Sequence, residues 1–303
     1  MSEFLTLGTR GSPLALAQAH SVAAALELAH GWSRGTVAIK TVKTSGDRIQ
    51  DRPLAEVGGK ALWTKELDLA LAAGETDLSV HSMKDVESDR PDAFILAAMM
   101  ERADVRDRLI GGGSIEDLRQ GARVGTSSPR RAAQLLSLRP DLDIQPIRGN
   151  VETRLNKIAI GDADATLLAA AGLDRLGIEA GSAIPVDVML PAPGQAAIGI
   201  ECRADDARVR ALIAPINHLP TCAAVALERA FTRRLGGSCH SPVAAHAFAE
   251  GEVFRLHAQL LSEDGSESVS DSALVASESE AILLAEMLLE RASPAIRMLF
   301  EGQ

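Results

Sequence analysis

The chain has 303 residues, 46% of them apolar and 24% charged, which is the composition of a soluble globular protein too long for one ordinary core. A formal charge of −10 argues against a nucleic-acid partner, no apolar run is long enough to span a bilayer, and Met1-Ser2-Glu3-Phe4 lacks the basic and apolar blocks of a secretory leader. Three cysteines, Cys202, Cys222 and Cys239, with no CxxC pair argue against a disulfide framework or a structural zinc and fit a reducing cytoplasm.

In chain order, residues 4–8 read as a strand, followed by Thr9-Arg10-Gly11-Ser12-Pro13 and an alanine-rich helix over 14–30 that stops at Gly31. Ser12 suits the N-cap and Pro13 the first helical position, and the unpaired N–H groups of such a start receive an anion beside Arg10. Alone, this is an ordinary capped helix. Residues 36–43 alternate and are β-branched, a strand. Residues 44–60 mix glycines, Pro53 and many charges, and read as a long surface segment, either a lid or a passive loop. A helix over 61–73 ends at Gly74, with Trp63 near its start as packing.

Asp77-Leu78-Ser79-Val80-His81-Ser82-Met83-Lys84-Asp85 carries a buried strand straight into polar residues. The carboxyl ends of strands are where open α/β sheets bind ligands. Lys84 offers a cation to a carboxylate, and Asp85 offers a carboxylate to a proton or a developing cation. The plain alternative is a surface ion pair. A strand over 93–100 follows. The densely charged residues 101–108 read as a crossover between lobes rather than a core element.

The first pattern then returns. Gly125-Thr126-Ser127-Ser128-Pro129-Arg130-Arg131 echoes Gly8-Thr9-Arg10-Gly11-Ser12-Pro13, offset by one residue: strand, Gly-Thr, a serine cap, a proline, arginine nearby. The echo predicts two lobes built alike, each pointing a helix N-terminus and arginines at one cleft. Arg148 stands at the end of a strand over 143–147, and Arg154 follows a Gly149-Asn150 turn on the first turns of a helix. Arg175 follows an apolar strand over 165–170. Each arginine alone is an ordinary surface charge; their repeated placement just after strands singles them out.

Residues 191–195 form a break suited to a return crossing. A buried strand over 197–202 puts Cys202 in the core, and helices over 204–213 and 223–234 follow, with Cys222 packing at the start of the second. Arg233-Arg234-Leu235-Gly236-Gly237-Ser238-Cys239-His240-Ser241-Pro242 then sets one cysteine in a loop of small residues, with arginines that favour its nucleophilic anion. Read alone, Cys239 is a small apolar residue in a turn. Strands over 243–248, 253–261 and 266–275 and a helix over 278–292 make a separate small domain. The sequence carries no P-loop, no GxGxxG after a strand and no HExxH, so no metal site is expected.

The stretches Thr9–Ala15, Val57-Gly58-Gly59-Lys60, Val80–Asp85, Gly125–Arg131, Arg148–Leu155, Ala170–Gly177 and Gly236–Pro242, in this order and at these separations, resemble the porphobilinogen deaminase (hydroxymethylbilane synthase) family over the full chain. The resemblance implies an α/β fold of three domains: two type II periplasmic-binding-protein-like lobes with mixed sheets, and a small C-terminal α/β domain with a three-stranded antiparallel sheet. Lobe 1 is 1–98 with 198–217, lobe 2 is 99–197, and the C-terminal domain is 218–303. The active cleft is expected between the lobes. It further implies a cytoplasmic monomer, a transferase that adds four porphobilinogen molecules head to tail to a covalent dipyrromethane primer. Each addition releases ammonia, and water finally frees the linear hydroxymethylbilane. By the same resemblance Cys239 bears the dipyrromethane through a thioether and Asp85 is the catalytic carboxylate. Lys84, Ser128, Arg130, Arg131 and Arg154 bind the cofactor, and Arg10, Ser12, Arg148 and Arg175 bind substrate. No nucleic acid or membrane partner is implied.

These residue types suit that work. A growing chain of acetate- and propionate-bearing pyrroles accumulates carboxylates, which arginines and helix N-termini neutralise. Loss of ammonia leaves an electron-poor cation that Asp85 can stabilise. A tether makes each addition effectively intramolecular. The sequence departs from the family's usual pattern in small ways: Ser238 directly before the cysteine, Trp63 where phenylalanine is frequent, Pro129 at a position often apolar, and Glu56 where some relatives have a base. Two rivals stay open: a non-enzymatic two-lobed binder of an anionic metabolite, which needs neither Asp85 nor Cys239, and a thiol enzyme turning over on Cys239, which needs a positioned base.

Overall fold

The computed structural model describes residues 5–44, 64–236 and 241–300. The expected surface segment over 44–60 beyond Thr44, the helix start at 61–63 and Cys239 lie outside the described residues. The chain divides into two compact units, 1–103 with 197–222 and 104–196 with 223–303.

Unit 1 is built on a five-stranded sheet. β1 (Leu5–Arg10) pairs in parallel with β2 (Val37–Val42) and with β3 (Leu78–Ser82). An antiparallel strand, β10 (Ile198–Arg203), runs between β3 and β4 (Phe94–Met99). Helix α1 (Pro13–His30) packs on this sheet. It starts because Ser12 caps it and Pro13 needs no N–H partner, and it stops because Gly31 takes the left-handed conformation at φ 65°. Its buried positions Ala19, Val22, Ala23 and Leu26 recur at helical spacing and meet Leu5, Leu7, Leu78, Val80, Ile198 and Ile200, all buried. The helix expected over 61–73 is seen as α2 (Lys65–Ala72).

Unit 2 holds a second five-stranded sheet of the same design. β6 (Arg123–Gly125) lies parallel to β7 (Asp143–Gln145) and β8 (Ala165–Ala169), and β5 (Asp107–Ile110) runs antiparallel between β8 and the short β9 (Ser182–Ala183). The two strand orders, β2-β1-β3-β10-β4 and β7-β6-β8-β5-β9, match position for position. The sequence echo falls on equivalent strands, β1 and β6, and each is followed by a serine-capped, proline-started helix: α1, and α3 (Pro129–Leu138). The short α4 (Val151–Ala159) and α5 (Ala170–Arg175) complete the connections.

One expectation is corrected here. Residues 101–108 are not wholly a crossover, because Asp107 opens β5, a core strand whose Leu109 is fully buried. Its charge is tolerated inside because two arginines neutralise it.

The rest of unit 2 is a three-stranded antiparallel sheet, β11 (Val243–Glu250), β12 (Val253–Leu261) and β13 (Ser268–Val275), as expected. After the short α6 (Ala207–Ile213), helix α7 (Leu219–Arg234) starts earlier than expected, so Cys222 sits in its first turns. Together with α8 (Glu278–Arg291) it covers a core containing Leu227, Phe231, Leu256, Leu260, Leu284 and Leu288; the short α9 (Pro294–Arg297) follows. Gly265 brings the β12–β13 turn against α3: a β-carbon there would stand 2.2 Å from the Ala133 carbonyl oxygen, so only glycine fits. Among the described residues no single helix is long and apolar enough to cross a membrane.

Candidate functional site

In unit 1 the candidate residues gather at the carboxyl ends of the parallel strands β1 and β3. Arg10 ends β1, and the Ser12 hydroxyl accepts from the Ala15 N–H at 3.2 Å. The end of β3 is tied to α1 through Gln18, whose amide donates to the Ser82 hydroxyl at 2.9 Å and accepts from it at 3.1 Å. The chain then makes a single 3-10 turn, Met83–Asp85, pinned by the Met83 N–H on the Ala197 carbonyl at 3.1 Å. Met83 is 2% exposed and packs over Gly199, where a β-carbon would lie 2.1 Å from its sulfur. This anchorage leaves Lys84 and Asp85 half-buried at the turn. Asp85 has no hydrogen-bond or ion-pair partner among the described residues.

Beneath that turn lies a buried polar cluster that the sequence did not disclose. Glu201 of β10 is fully buried, accepts from Arg90 Nε and Nη2, both at 2.8 Å, and meets His81 Nε2 at 3.2 Å. Arg90 also donates to Asp68 at 2.6 Å and Glu87 at 3.0 Å. Burial pushes the Glu201 carboxyl up, but the hydrogen bonds and charges of His81 and Arg90 overcome it and hold it at about 2. Asp68, with one bond to the same arginine, is instead raised by its burial. A carboxylate lowered on folding stabilises the fold above its ordinary value, 4.5, and loses that contribution as pH falls toward its folded value. Glu201→Gln is therefore expected to flatten the loss of stability between about pH 4.5 and pH 2, measured by denaturant unfolding across that window.

In unit 2 the predicted residues separate into two groups. Arg130 and Arg131 are buried and face inward. Both donate to Asp107, Arg130 Nη2 at 2.8 Å and Arg131 Nη2 at 2.7 Å, and they also hold the Leu190 and Leu167 carbonyls. Burial alone would raise the Asp107 carboxyl; the Arg131 and Arg130 charges hold it well below the usual carboxylate range. Gln195, 1% exposed, adds a bond to Asp107 at 3.0 Å. These guanidinium groups are therefore engaged within the protein.

The second group includes one buried guanidinium nitrogen with no hydrogen-bond partner among the described residues. The Ser127 hydroxyl donates to the Ile147 carbonyl at 2.8 Å, and Gly125 lies against Ile147, where a β-carbon would come within 3.0 Å. This close approach brings the α3 start, capped by Ser128, beside the stretch after β7 that carries Arg148, three residues past the strand and not at its end as expected. Arg148 Nη2 is buried with no hydrogen-bond partner. Arg154 donates from Nε to the Gly149 carbonyl at 3.0 Å, and Asn150 caps the helix between them. Arg175 Nη2 donates to the Ala196 carbonyl at 2.6 Å, and burial lowers its pKa against the opposing charge of Asp174. The unpartnered Arg148 nitrogen, in this half-buried set of arginines, fits a polycarboxylate such as dipyrromethane.

Gly149 has φ +115°, and a β-carbon on it would stand 2.6 Å from Thr153. Gly149→Ala is expected to cost roughly 1–3 kcal/mol and to raise KM, because it displaces Arg148 and Arg154 together. Thermal melting and substrate titration check the two effects separately.

Cys239 lies outside the described residues. Arg233 and Arg234, expected to favour its thiolate, are instead engaged with Glu278 at 2.8 Å and Glu286 at 2.7 Å on α8. The other cysteines are poor nucleophiles: burial pushes the Cys202 thiol up to about 11 and also raises Cys222. Asp107, Glu201, Arg90 and Gln195 were missed by sequence reasoning. The available signal was a lone acid inside or heading an apolar strand, since buried carboxylates require partners.

Comparison with known proteins shows the family. The family model described as "Porphobilinogen deaminase, dipyromethane cofactor binding domain" matches residues 5–211, and "Porphobilinogen deaminase, C-terminal domain" matches residues 222–292. A porphobilinogen deaminase of Sphingopyxis alaskensis is 56% identical, over 98% of this chain and 96% of its own. One from Nitrobacter winogradskyi is 49% identical with the same coverage, and one from Paracoccus denitrificans is 48% identical over 88% of this chain and 86% of its own.

Proposed function

The chain belongs to the porphobilinogen deaminase family, and we propose how its residues divide that family's work. The enzyme is a transferase that condenses four porphobilinogen molecules on a dipyrromethane primer, releases ammonia, and hydrolyses off hydroxymethylbilane. The primer supplies a nucleophilic terminal pyrrole on which the chain lengthens. Cys239 holds it covalently. Lys84, Ser128 and Arg154 receive its carboxylates, while Arg130 and Arg131 act from beneath, fixed by Asp107. Arg10, Ser12, Arg148 and Arg175 take the carboxylates of incoming porphobilinogen.

Asp85 carries the chemistry. Its carboxylate holds the substrate pyrrole N–H and stabilises the cation left when ammonia departs. It then takes part in moving the proton that the new carbon–carbon bond displaces. The supporting observation is that this half-buried carboxylate ends a fixed strand and turn yet has no partner among the described residues, so it is preorganised and available. A binder of anionic metabolites has no use for such a group. Three domains are placed at 1–98 with 198–217, 99–197 and 218–303. The clusters around Leu7, Leu167 and Phe231, which share no residue, support this division. The enzyme is placed in the cytoplasm as a monomer.

Arg148→Ala tests the substrate set. Losing one charge-assisted contact is expected to raise the KM for porphobilinogen roughly tenfold to a hundredfold. Arg119→Ala, in the same unit but already paired with Asp164, should leave KM unchanged. Equal effects from both, or none from Arg148, would remove Arg148 from that set.

A further inference from the structure

We infer that Glu201 and Arg90 form a buried clamp that positions Asp85 for catalysis, an inference that rests on the role of Asp85 given above. His81 lies four residues before Asp85, on β3, and Arg90 lies five residues after it, beyond the turn. Both side chains converge on the one carboxylate of Glu201, His81 at 3.2 Å and Arg90 through two parallel bonds of 2.8 Å. A single buried acid therefore closes the two ends of the segment that carries Lys84 and Asp85.

The clamp is geometrically demanding. An arginine–carboxylate fork fixes both distance and plane, which a lysine in its place cannot do. The Arg90 guanidinium is 8% exposed and is held from two further sides, by Asp68 of α2 and by Glu87, itself bonded to Thr64. On the other edge Met83 fills the space left by Gly199 on the same strand as Glu201. β10 and the residue before it thus hold the 81–90 segment at three places, Ala197 and Gly199 against Met83 and Glu201 against His81 and Arg90. The Asp85 carboxylate makes no hydrogen bond among the described residues. Its placement is delegated to these contacts.

Glu201 and Arg90 act through Asp85 and not on the reacting atoms. They are positioning residues, and the expected signature is a fall in kcat without a matching rise in KM. The test uses the holoenzyme, with the dipyrromethane adduct of each variant verified by intact mass. Arg90→Met is expected to lower kcat tenfold or more with KM for porphobilinogen within twofold. Arg90→Lys, which keeps the charge but not the fork, should restore only part of the loss. In an Asp85→Glu background the further loss from Arg90→Met should shrink below threefold, because both changes act through one carboxylate.

Gly199→Ala approaches the same turn from the Met83 side and keeps the inference testable if Arg90→Met fails to fold. It should also lower kcat at nearly constant KM. Wild-type kcat in folded Arg90→Met or Gly199→Ala protein, even with a lowered melting temperature, overturns the inference. So does an undiminished tenfold loss in the Asp85→Glu background. The two ideas fail separately: an active Asp85→Ala enzyme removes the role of Asp85, whereas an inactive Asp85→Ala with normal Arg90→Met removes only the clamp.

Discussion

Asp85→Ala is expected to fold normally and to lose turnover by roughly 10²- to 10⁴-fold, the range for a positioned proton-transfer or charge-stabilising group. The structural cost should be small. Asp85 is half-buried and has no hydrogen bond to lose, so stability should stay within about 0.5 kcal/mol of wild type. Its loss should appear in kcat more than in KM, since the cation it stabilises exists only after ammonia begins to leave. The check is hydroxymethylbilane production beside a denaturant melt. Near-normal production by a folded Asp85→Ala enzyme would contradict the assignment.

Asp107→Ala is expected to have the largest effect on stability, about 3–5 kcal/mol, because it leaves two buried guanidinium groups with no counter-charge. Arg130 and Arg131 are 4% and 7% exposed and cannot turn to solvent without opening the core around β5. The sign of the pH dependence follows from the lowered carboxyl. The ion pair contributes fully above the ordinary aspartate value of 3.8 and loses its contribution as pH falls below it. Urea unfolding at pH 7 and at pH 3 measures both. A variant as stable as wild type at pH 7 would mean that the two arginines have another outlet for their charge.

Much of this arrangement was legible because local chemistry matched local structure. Ser12 with Pro13 and Ser128 with Pro129 announced two helix starts, and both occur where expected because caps act within one turn of chain. The repeated Gly-Thr stretch pointed to two lobes of like design, seen in the matching strand orders. The abrupt change from apolar to polar at Ser82-Met83-Lys84-Asp85 placed Asp85 at a strand end.

Long-range partnership was not legible. Arg130, Arg131, Arg148 and Arg175 look alike as letters following strands. Only the folded chain separates Arg130 and Arg131, which are engaged by Asp107 more than 20 residues away, from Arg148 with its unpartnered nitrogen. Asp107 was hidden because its neighbours 101–106 are also charged, so the start of a core strand read as solvated chain. Glu201 was hidden for the opposite reason, as a single acid in the otherwise apolar run Ile198-Gly199-Ile200-Glu201-Cys202. Pairing across a sheet has no fixed sequence offset, unlike a helix cap.

The intact mass of the purified, active protein tests the central assignment most directly. The expected result is the chain plus one dipyrromethane on Cys239, increasing by porphobilinogen-derived increments on brief incubation with substrate, and absent in Cys239→Ser. Full activity from protein with the bare mass of the chain would contradict it.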